Sequence, residues 1–172
     1  MTRCEVTPHA SSDGDALAAR LAADVTLGIE RQLRRQPQAA IVVPGGRTPG
    51  AFLRALARQP LDWSRIRVTL ADERCVPLDD PASNLRMVQQ AFAGSGAAAS
   101  LLGCDATGTD AAVRWQAALG DLPTPFAAVV LGMGEDGHFA SLFPHMTGLA
   151  AALDPDATQA VVRGFAPVEP RE

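Results

Sequence analysis

The apolar residues of this chain recur with two spacings, one typical of helices and the other of buried strands. Residues 13–36 carry an apolar residue at every fourth position, which predicts a helix with one buried stripe. That stripe consists of Leu17, Leu21, Val25 and Ile29. A shorter helical pattern begins at Thr48 and Pro49, and two others cover residues 83–92 and 110–119.

Short apolar runs separate these helices and predict strands at residues 39–43, 66–70 and 126–131, with a further short strand at 160–162. The small residues of 94–100 predict a loop. Alternating strands and helices predict an α/β fold, a Rossmann-like and mostly parallel sheet with helices on both faces. In such folds the ligand sites lie in loops at the carboxyl ends of the strands.

The composition narrows the possible chemistry without changing this fold prediction. A length of 172 residues and a net charge of −4 are typical of one globular domain, which we expect to span residues 1–172. All 15 basic residues are arginine, so the chain contains no lysine. A lysine Schiff base, a pyridoxal phosphate anchor and a Walker-type phosphate lysine are therefore excluded for this chain.

Charge and cysteine patterns predict a protein that binds neither nucleic acid nor membrane. No basic run is longer than Arg34-Arg35, and aromatic residues are few. The cysteines, Cys4, Cys75 and Cys104, lack CxxC spacing and predict free thiols in a reducing compartment. The N-terminus lacks a signal-peptide pattern and no apolar run could span a bilayer, so we expect a cytoplasmic protein, with a monomer favoured.

Three loops that follow predicted strands carry the candidate chemistry. Loop 1 (residues 44–49) reads Pro-Gly-Gly-Arg-Thr-Pro, in which backbone amides and an arginine can cradle a phosphate, although ordinary turns have the same composition. In loop 2 (residues 72–77), Arg74 can bind phosphate and Asp72 can orient a sugar hydroxyl or act as a base. The alternative for loop 2 is a solvated salt-bridge cluster, with Ser83 as a helix cap.

Loop 3 (residues 132–141) is the most informative, because its glycines match the GxGxxG spacing of dinucleotide-binding turns. Acidic residues beside the pyrophosphate and a proline soon after the last glycine argue against nucleotide binding. The loop is better interpreted as an Asp-Gly-His unit in which Asp136 orients His138. A metal site formed with His145 has no supporting spacing, and Ser141 lacks the GxSxG context of a hydrolase nucleophile.

Through these loops the chain resembles the 6-phosphogluconolactonase family. The matching stretches are VVPGGRTPGAFLRAL, LADERCVPLDDPASN and VVLGMGEDGHFASLFP. The wider superfamily includes glucosamine-6-phosphate deaminase, whose pattern after the histidine runs to Asn-Glu-Pro. This chain instead continues with Ala140-Ser141-Leu142-Phe143-Pro144, which resembles the lactonases.

The resemblance implies a sugar-phosphate isomerase/lactonase type of fold and hydrolysis of 6-phospho-D-glucono-1,5-lactone without metal or cofactor. His138 matches the general base that activates water, and Asp136 matches its acidic neighbour. Asp72 occupies the position of the deaminase catalytic aspartate, so its role in a lactonase stays open. The positions that match substrate and phosphate contacts are Gly45, Gly46, Arg47, Thr48 and Arg74.

One departure from the family concerns the C-terminus. Family members usually continue beyond the point at which this chain stops, with another strand and typically a substrate-binding lysine, so we expect the domain to be C-terminally incomplete.

Two alternative functions accompany the lactonase prediction. One is a deaminase or isomerase with Asp72 as the base, and the other is a truncated, non-catalytic protein that binds sugar phosphates.

Overall fold

A computed structural model describes residues 5–46, 48–103 and 105–165, and its centre is a three-stranded parallel sheet. The strands β1 (Ala39–Val43), β2 (Ile66–Leu70) and β3 (Ala128–Val129) lie in the order β2-β1-β3. All five residues of β1 are buried. Because successive side chains of a strand point to opposite faces, both faces of this central strand are covered.

The described residues form five α-helices: α1 (Gly14–Leu33), α2 (Gly50–Ala57), α3 (Asn84–Phe92), α4 (Ala111–Gly120) and α5 (Leu149–Ala152). Helix α2 packs against both α1 and α3. Trp115 of α4 is buried and its indole N–H donates to the Thr69 hydroxyl of β2 over 3.4 Å. The predicted α/β fold is confirmed, and four of these helices lie where the apolar spacing predicts them.

The predicted stripe of α1 is correct only in its second half. Val25 and Ile29 are buried, whereas Leu17 and Leu21 are each 37% exposed. Every buried residue of this helix lies at Ala22 or beyond, so the core covers only the later turns. The prediction failed because periodicity identifies a face of a helix but not how far along that face the core extends.

Two predicted strands differ in the structure. Only Ala128–Val129 of the predicted 126–131 strand forms ladder pairs, all with β1. Residues 160–162 form no strand, because the backbone N–H groups of Ala160 and Val161 both donate to the Gln116 side-chain oxygen of α4. A side-chain acceptor thus takes the place of a neighbouring strand.

The loop predicted at residues 94–100 is also partly wrong, since Gly96–Ser100 forms a short 3₁₀ helix. It packs against a second 3₁₀ helix, Trp63–Arg65, where the Ser100 hydroxyl donates to the Trp63 carbonyl over 2.5 Å. Within the described ranges no helix is both long and apolar enough to cross a membrane. Residues 170–172, the point at which the family pattern is expected to continue beyond this chain, lie outside the described residues.

Candidate active site

The three loops meet at one edge of the sheet, as the sequence predicts. Strands β1, β2 and β3 run parallel, so loops 1, 2 and 3 all leave from the carboxyl edge. Side-chain hydrogen bonds join loop 2 to loop 1 through Asn84, and loop 2 to loop 3 through Asp72. Residues far apart in the sequence therefore form one candidate site.

Loop 3 holds an imidazole and a carboxylate in contact. The Nδ1 of His138 lies 2.5 Å from Oδ1 of Asp136, and the same carboxylate oxygen accepts the His138 backbone N–H over 3.2 Å. Gly134 lies directly beneath this pair, because a Cβ there would come within 2.3 Å of the imidazole. The ring of Phe143 packs against the imidazole with 4.3 Å between centroids. Ring and carboxylate together fix the orientation of His138.

Electrostatics reinforce this pair. The hydrogen bonds from the His138 side chain and backbone lower the pKa of Asp136 below the usual carboxyl range, so Asp136 stays ionised at neutral pH. An ionised acceptor at Nδ1 favours the tautomer that carries its proton there. The Nε2 lone pair is then available to accept a proton from water, which is the chemistry required of a general base.

Loops 1 and 2 share a buried amide, that of Asn84. Its Oδ1 accepts the Gly46 N–H over 3.3 Å and an Arg74 guanidinium N–H over 2.6 Å, while its Nδ2 donates to the Asp72 carbonyl over 2.9 Å. Gly45 abuts this amide so closely that a Cβ would overlap it at 1.9 Å. The Gly-Gly pair of loop 1 is therefore required by close packing as well as by turn geometry.

Thr48 and Arg47 are the other predicted phosphate contacts of loop 1. Thr48 is exposed and immediately precedes Pro49, the N-cap of α2. Arg47, which the sequence predicts as a phosphate ligand, lies outside the described residues. Helix α2 begins directly after the loop, so its N-terminal backbone donors face the same edge of the sheet.

The alternative salt-bridge interpretation of loop 2 is wrong for the part of the chain that the structure describes. Glu73 makes no ion pair there but accepts the backbone N–H groups of Asn84 and Leu85, each over 2.7 Å. It also accepts the Ser83 hydroxyl over 3.1 Å, while the predicted cap Ser83 itself accepts the Arg86 N–H. Glu73 thus fastens loop 2 to the start of α3.

Asp72 is joined to loop 3 by a hydrogen bond from the Ser141 hydroxyl to its Oδ2. Ser141 and Ala140 are the central residues of a tight turn closed by the Leu142 N–H, which donates to the Phe139 carbonyl over 2.8 Å. Both have positive φ, +58° and +48°, a conformation that is costly for residues with a Cβ. The turn presents the hydroxyl to Asp72.

Two cavities open at this edge, and Arg74 lines both of them. The smaller, of about 350 Å³, lies between loop 1 and α3, and its described lining includes Arg54 and Arg74 but no acidic residue. The larger, of about 590 Å³, is lined by Asp72, Ser141 and Phe143 together with residues 159–165. A cationic cavity beside a larger mixed one suits a ligand with an anionic end.

Other candidate sites find no support in the described ranges. No three carboxylate, imidazole or thiol groups among those residues form a cluster that could hold a metal ion. The segment after Gly137 makes turns, and the next helix begins at Leu149, so the long helix of a dinucleotide fingerprint is missing there. Cys75 is a free, exposed thiol, whereas Cys4 and Cys104 lie outside the described residues.

Sequence reasoning missed the roles of Asn84, Glu73 and Ser141. Each acts through a partner that is distant in the sequence: 38 residues for Asn84 with Gly46, and 69 for Ser141 with Asp72. No local spacing marks such contacts. The one usable signal was the Ser83-Asn84 pair at a predicted helix start, which favours a cap but not a bond back to loop 1.

Comparison with known proteins identifies the relatives of the chain. A family model described as glucosamine-6-phosphate isomerases/6-phosphogluconolactonase matches residues 12–171. A curated 6-phosphogluconolactonase from Pseudomonas aeruginosa is 45% identical over 156 residues, which cover 88% of this chain. Another from Pseudomonas putida is 40% identical over 171 residues, which cover 97% of this chain.

Solved structures agree with these matches. The crystal structure of a 6-phosphogluconolactonase from Shewanella baltica superposes with a TM-score of 0.79 at 35% identity and covers 86% of this chain. The chain spans only part of each relative: 66% of the Pseudomonas aeruginosa protein, 70% of the Pseudomonas putida protein and 65% of the Shewanella baltica chain. The likeness therefore extends over nearly all of this chain but over about two thirds of its relatives.

Proposed function

Because the chain belongs to the glucosamine-6-phosphate isomerase/6-phosphogluconolactonase family, we propose that it hydrolyses 6-phospho-D-glucono-1,5-lactone to 6-phospho-D-gluconate. The observation that carries this proposal is the Asp136–His138 contact at the carboxyl edge of the sheet. It supplies an oriented base within a site that also has a cationic cavity. A lactone has a reactive carbonyl, so a positioned base together with donors that stabilise the oxyanion can suffice for its hydrolysis, and the cationic cavity is left for the phosphate.

In the proposed reaction, His138 Nε2 accepts a proton from water as the water oxygen attacks the lactone carbonyl carbon. The tetrahedral intermediate then collapses and the ring C–O bond breaks. The departing ring oxygen receives the proton from the imidazolium and becomes a hydroxyl group. Asp136 stays ionised throughout and stabilises the imidazolium that forms between the two transfers.

The phosphate group of the substrate is assigned to the smaller cavity. Arg74 there offers guanidinium hydrogen-bond donors, Gly46 lines the same cavity, and loop 1 leads directly into the N-terminus of α2. Gly45, Arg47 and Thr48 complete the proposed phosphate contacts. Binding a phosphate remote from the reacting carbon supplies free energy for orienting the lactone, in keeping with a chain that has no lysine.

Asp72 favours a second candidate, a sugar-phosphate deaminase or isomerase. Its carboxylate lines the larger cavity, where it could take a proton from a carbon next to a carbonyl. The hydrogen bond from Ser141 to Oδ2 leaves this role open to Oδ1, so the preference for the lactonase rests on the Asp136–His138 contact. We assign Asp72 to hydroxyl groups of the lactone ring.

The proposed setting follows from the substrate. A phosphorylated lactone is a small soluble metabolite, so we propose a cytoplasmic enzyme of the oxidative pentose phosphate pathway. We also propose that it acts as a monomer and needs no metal or cofactor. The free thiol of Cys75 is compatible with a reducing compartment.

The discriminating experiment supplies the purified chain with two substrates in parallel. We expect hydrolysis of the phosphorylated lactone well above the spontaneous rate, and no ammonia release from glucosamine 6-phosphate. Ammonia release would establish the deaminase alternative. Binding of 6-phosphogluconate without hydrolysis would instead indicate a non-catalytic sugar-phosphate-binding protein.

A further inference from the structure

The turn at residues 139–142 breaks a local rule of backbone chemistry. A two-residue turn with positive φ at both central positions strongly favours Asn-Gly or Gly-Gly, yet Ala140 and Ser141 occupy those positions here. Neither residue adopts this conformation without a steric cost. Such strain persists where surrounding contacts impose it, and it concentrates at functional sites.

The contact imposed by this turn is the hydrogen bond from the Ser141 hydroxyl to Asp72 Oδ2. It joins two loops that are 69 residues apart in the sequence. The other carboxylate oxygen of Asp72, Oδ1, has no protein partner among the described residues, and Asp72 and Ser141 line the same cavity of about 590 Å³. One oxygen is held by the protein and the other is left for a ligand.

We propose that Ser141 is a positioning residue: its hydroxyl holds the Asp72 carboxylate so that Oδ1 accepts a hydroxyl group of the sugar ring. This inference rests on the proposed lactonase function and assigns Ser141 a role other than that of a nucleophile. Held in this way, the carboxylate orients the lactone ring relative to His138. Misplacement of a positioning group by about 1 Å can reduce turnover by about 10²-fold.

Three substitutions separate the hydroxyl from the strain. Ser141→Ala removes the hydroxyl and keeps the strained backbone, Ser141→Gly removes both, and Ala140→Gly relieves strain at the neighbouring position while the hydroxyl stays. We expect both Ser141 variants to lose between about 10-fold and 100-fold in kcat/KM for the phosphorylated lactone. We expect Ala140→Gly to retain wild-type activity.

Thermal unfolding distinguishes a positioning role from a purely structural one. In a purely structural role, activity would fall in step with the unfolding temperature. Ser141→Gly should unfold at a higher temperature than Ser141→Ala, because glycine tolerates positive φ, although both are equally impaired in activity. Wild-type kcat/KM in Ser141→Ala would overturn the inference. An equal loss in Ala140→Gly would also overturn it, since the turn conformation and not the hydroxyl would then be responsible.

A double-mutant cycle tests the contact without relying on activity. Ser141→Ala and Asp72→Asn, alone and combined, are compared by urea denaturation of the same chain. Non-additive effects are expected, and strictly additive effects would overturn the pairing. If the wild-type chain hydrolyses no lactone but the cycle shows coupling, the proposed function fails while the Ser141–Asp72 contact stands.

Discussion

Gly134 illustrates how a single missing side chain shapes the site. A Cβ at this position would lie 2.3 Å from the His138 ring and 2.8 Å from the Asp136 carboxylate, distances at which the pair must move. The glycine in Gly-x-Gly-x-x-Gly spacing therefore serves the imidazole and not a nucleotide. Gly134 contributes by leaving room for the His138 ring and the Asp136 carboxylate. Adding one methyl group at this position therefore tests its role.

Gly134→Ala should displace the imidazole and lower kcat for lactone hydrolysis by about 10²-fold, because catalytic geometry tolerates little displacement. The matched control is Gly132→Ala, two residues earlier, where an added Cβ meets nothing within 4 Å. Steady-state kinetics on both variants decide the matter. Equal kcat values for the two variants would show that the packing beneath His138 is unimportant.

The Asp136–His138 contact has a consequence for stability that depends on pH. Since the contact lowers the pKa of Asp136 in the folded chain, its stabilisation is fully present above the unfolded carboxyl pKa of about 4 and is lost as the pH falls through the lowered value. Urea midpoints of wild type and Asp136→Asn should therefore differ at pH 7 and converge at low pH.

The control for this measurement is Glu135→Gln, which changes the neighbouring exposed carboxylate. Its midpoint should follow that of the wild type across the whole range. A difference between wild type and Asp136→Asn that persists unchanged to the lowest pH would contradict the lowered pKa.

At the scale of elements, α3 depends on a carboxylate from another loop. Glu73 satisfies two backbone donors in the first turn of the helix, and Ser83 satisfies a third. An isolated α3 of nine residues would be marginal in water. Its placement by Glu73 also places Asn84, and through Asn84 the Arg74 guanidinium.

Glu73→Ala should lower the free energy of unfolding by about 1–2 kcal/mol, the usual cost of losing a helix cap. It should also raise KM for the phosphorylated lactone, because Arg74 loses its indirect support. Urea denaturation and steady-state kinetics provide the two values. Glu30→Ala, which removes an exposed carboxylate from α1, is the control and should change neither. A KM that stays at the wild-type value would contradict the proposed link between the capping of α3 by Glu73 and phosphate binding by Arg74.

The elements themselves were largely predictable, whereas the limits of some of them were not. Strands 39–43 and 66–70 appear with the predicted bounds, because each is a five-residue run rich in Val, Ile or Leu, a length and composition that favour a strand over a helix. The predicted 160–162 strand failed because Gln116 supplies the hydrogen bonds that define its backbone. The sequence of Ala140-Ser141 also gives no indication of a turn with positive φ. The contact associated with that turn, the hydrogen bond to Asp72, lies in loop 2.

At the scale of the molecule, a parallel sheet explains why distant motifs form one site. Parallel strands place their carboxyl ends together, so three loops separated by tens of residues meet once the strand order is set. Strand periodicity was sufficient to predict this convergence. The contacts that lock the loops, those of Asn84, Glu73 and Ser141, required the structure because their partners are not adjacent in the sequence.

The central claim is that His138, oriented by Asp136, activates water for lactone hydrolysis. The most direct measurement is kcat for 6-phospho-D-glucono-1,5-lactone with wild type, His138→Ala and the exposed-histidine control His145→Asn. We predict a fall of about 10²–10⁴-fold in His138→Ala in a chain that still folds and unfolds cooperatively, with full activity in His145→Asn. A His138→Ala variant that turns over at the wild-type rate would contradict the account.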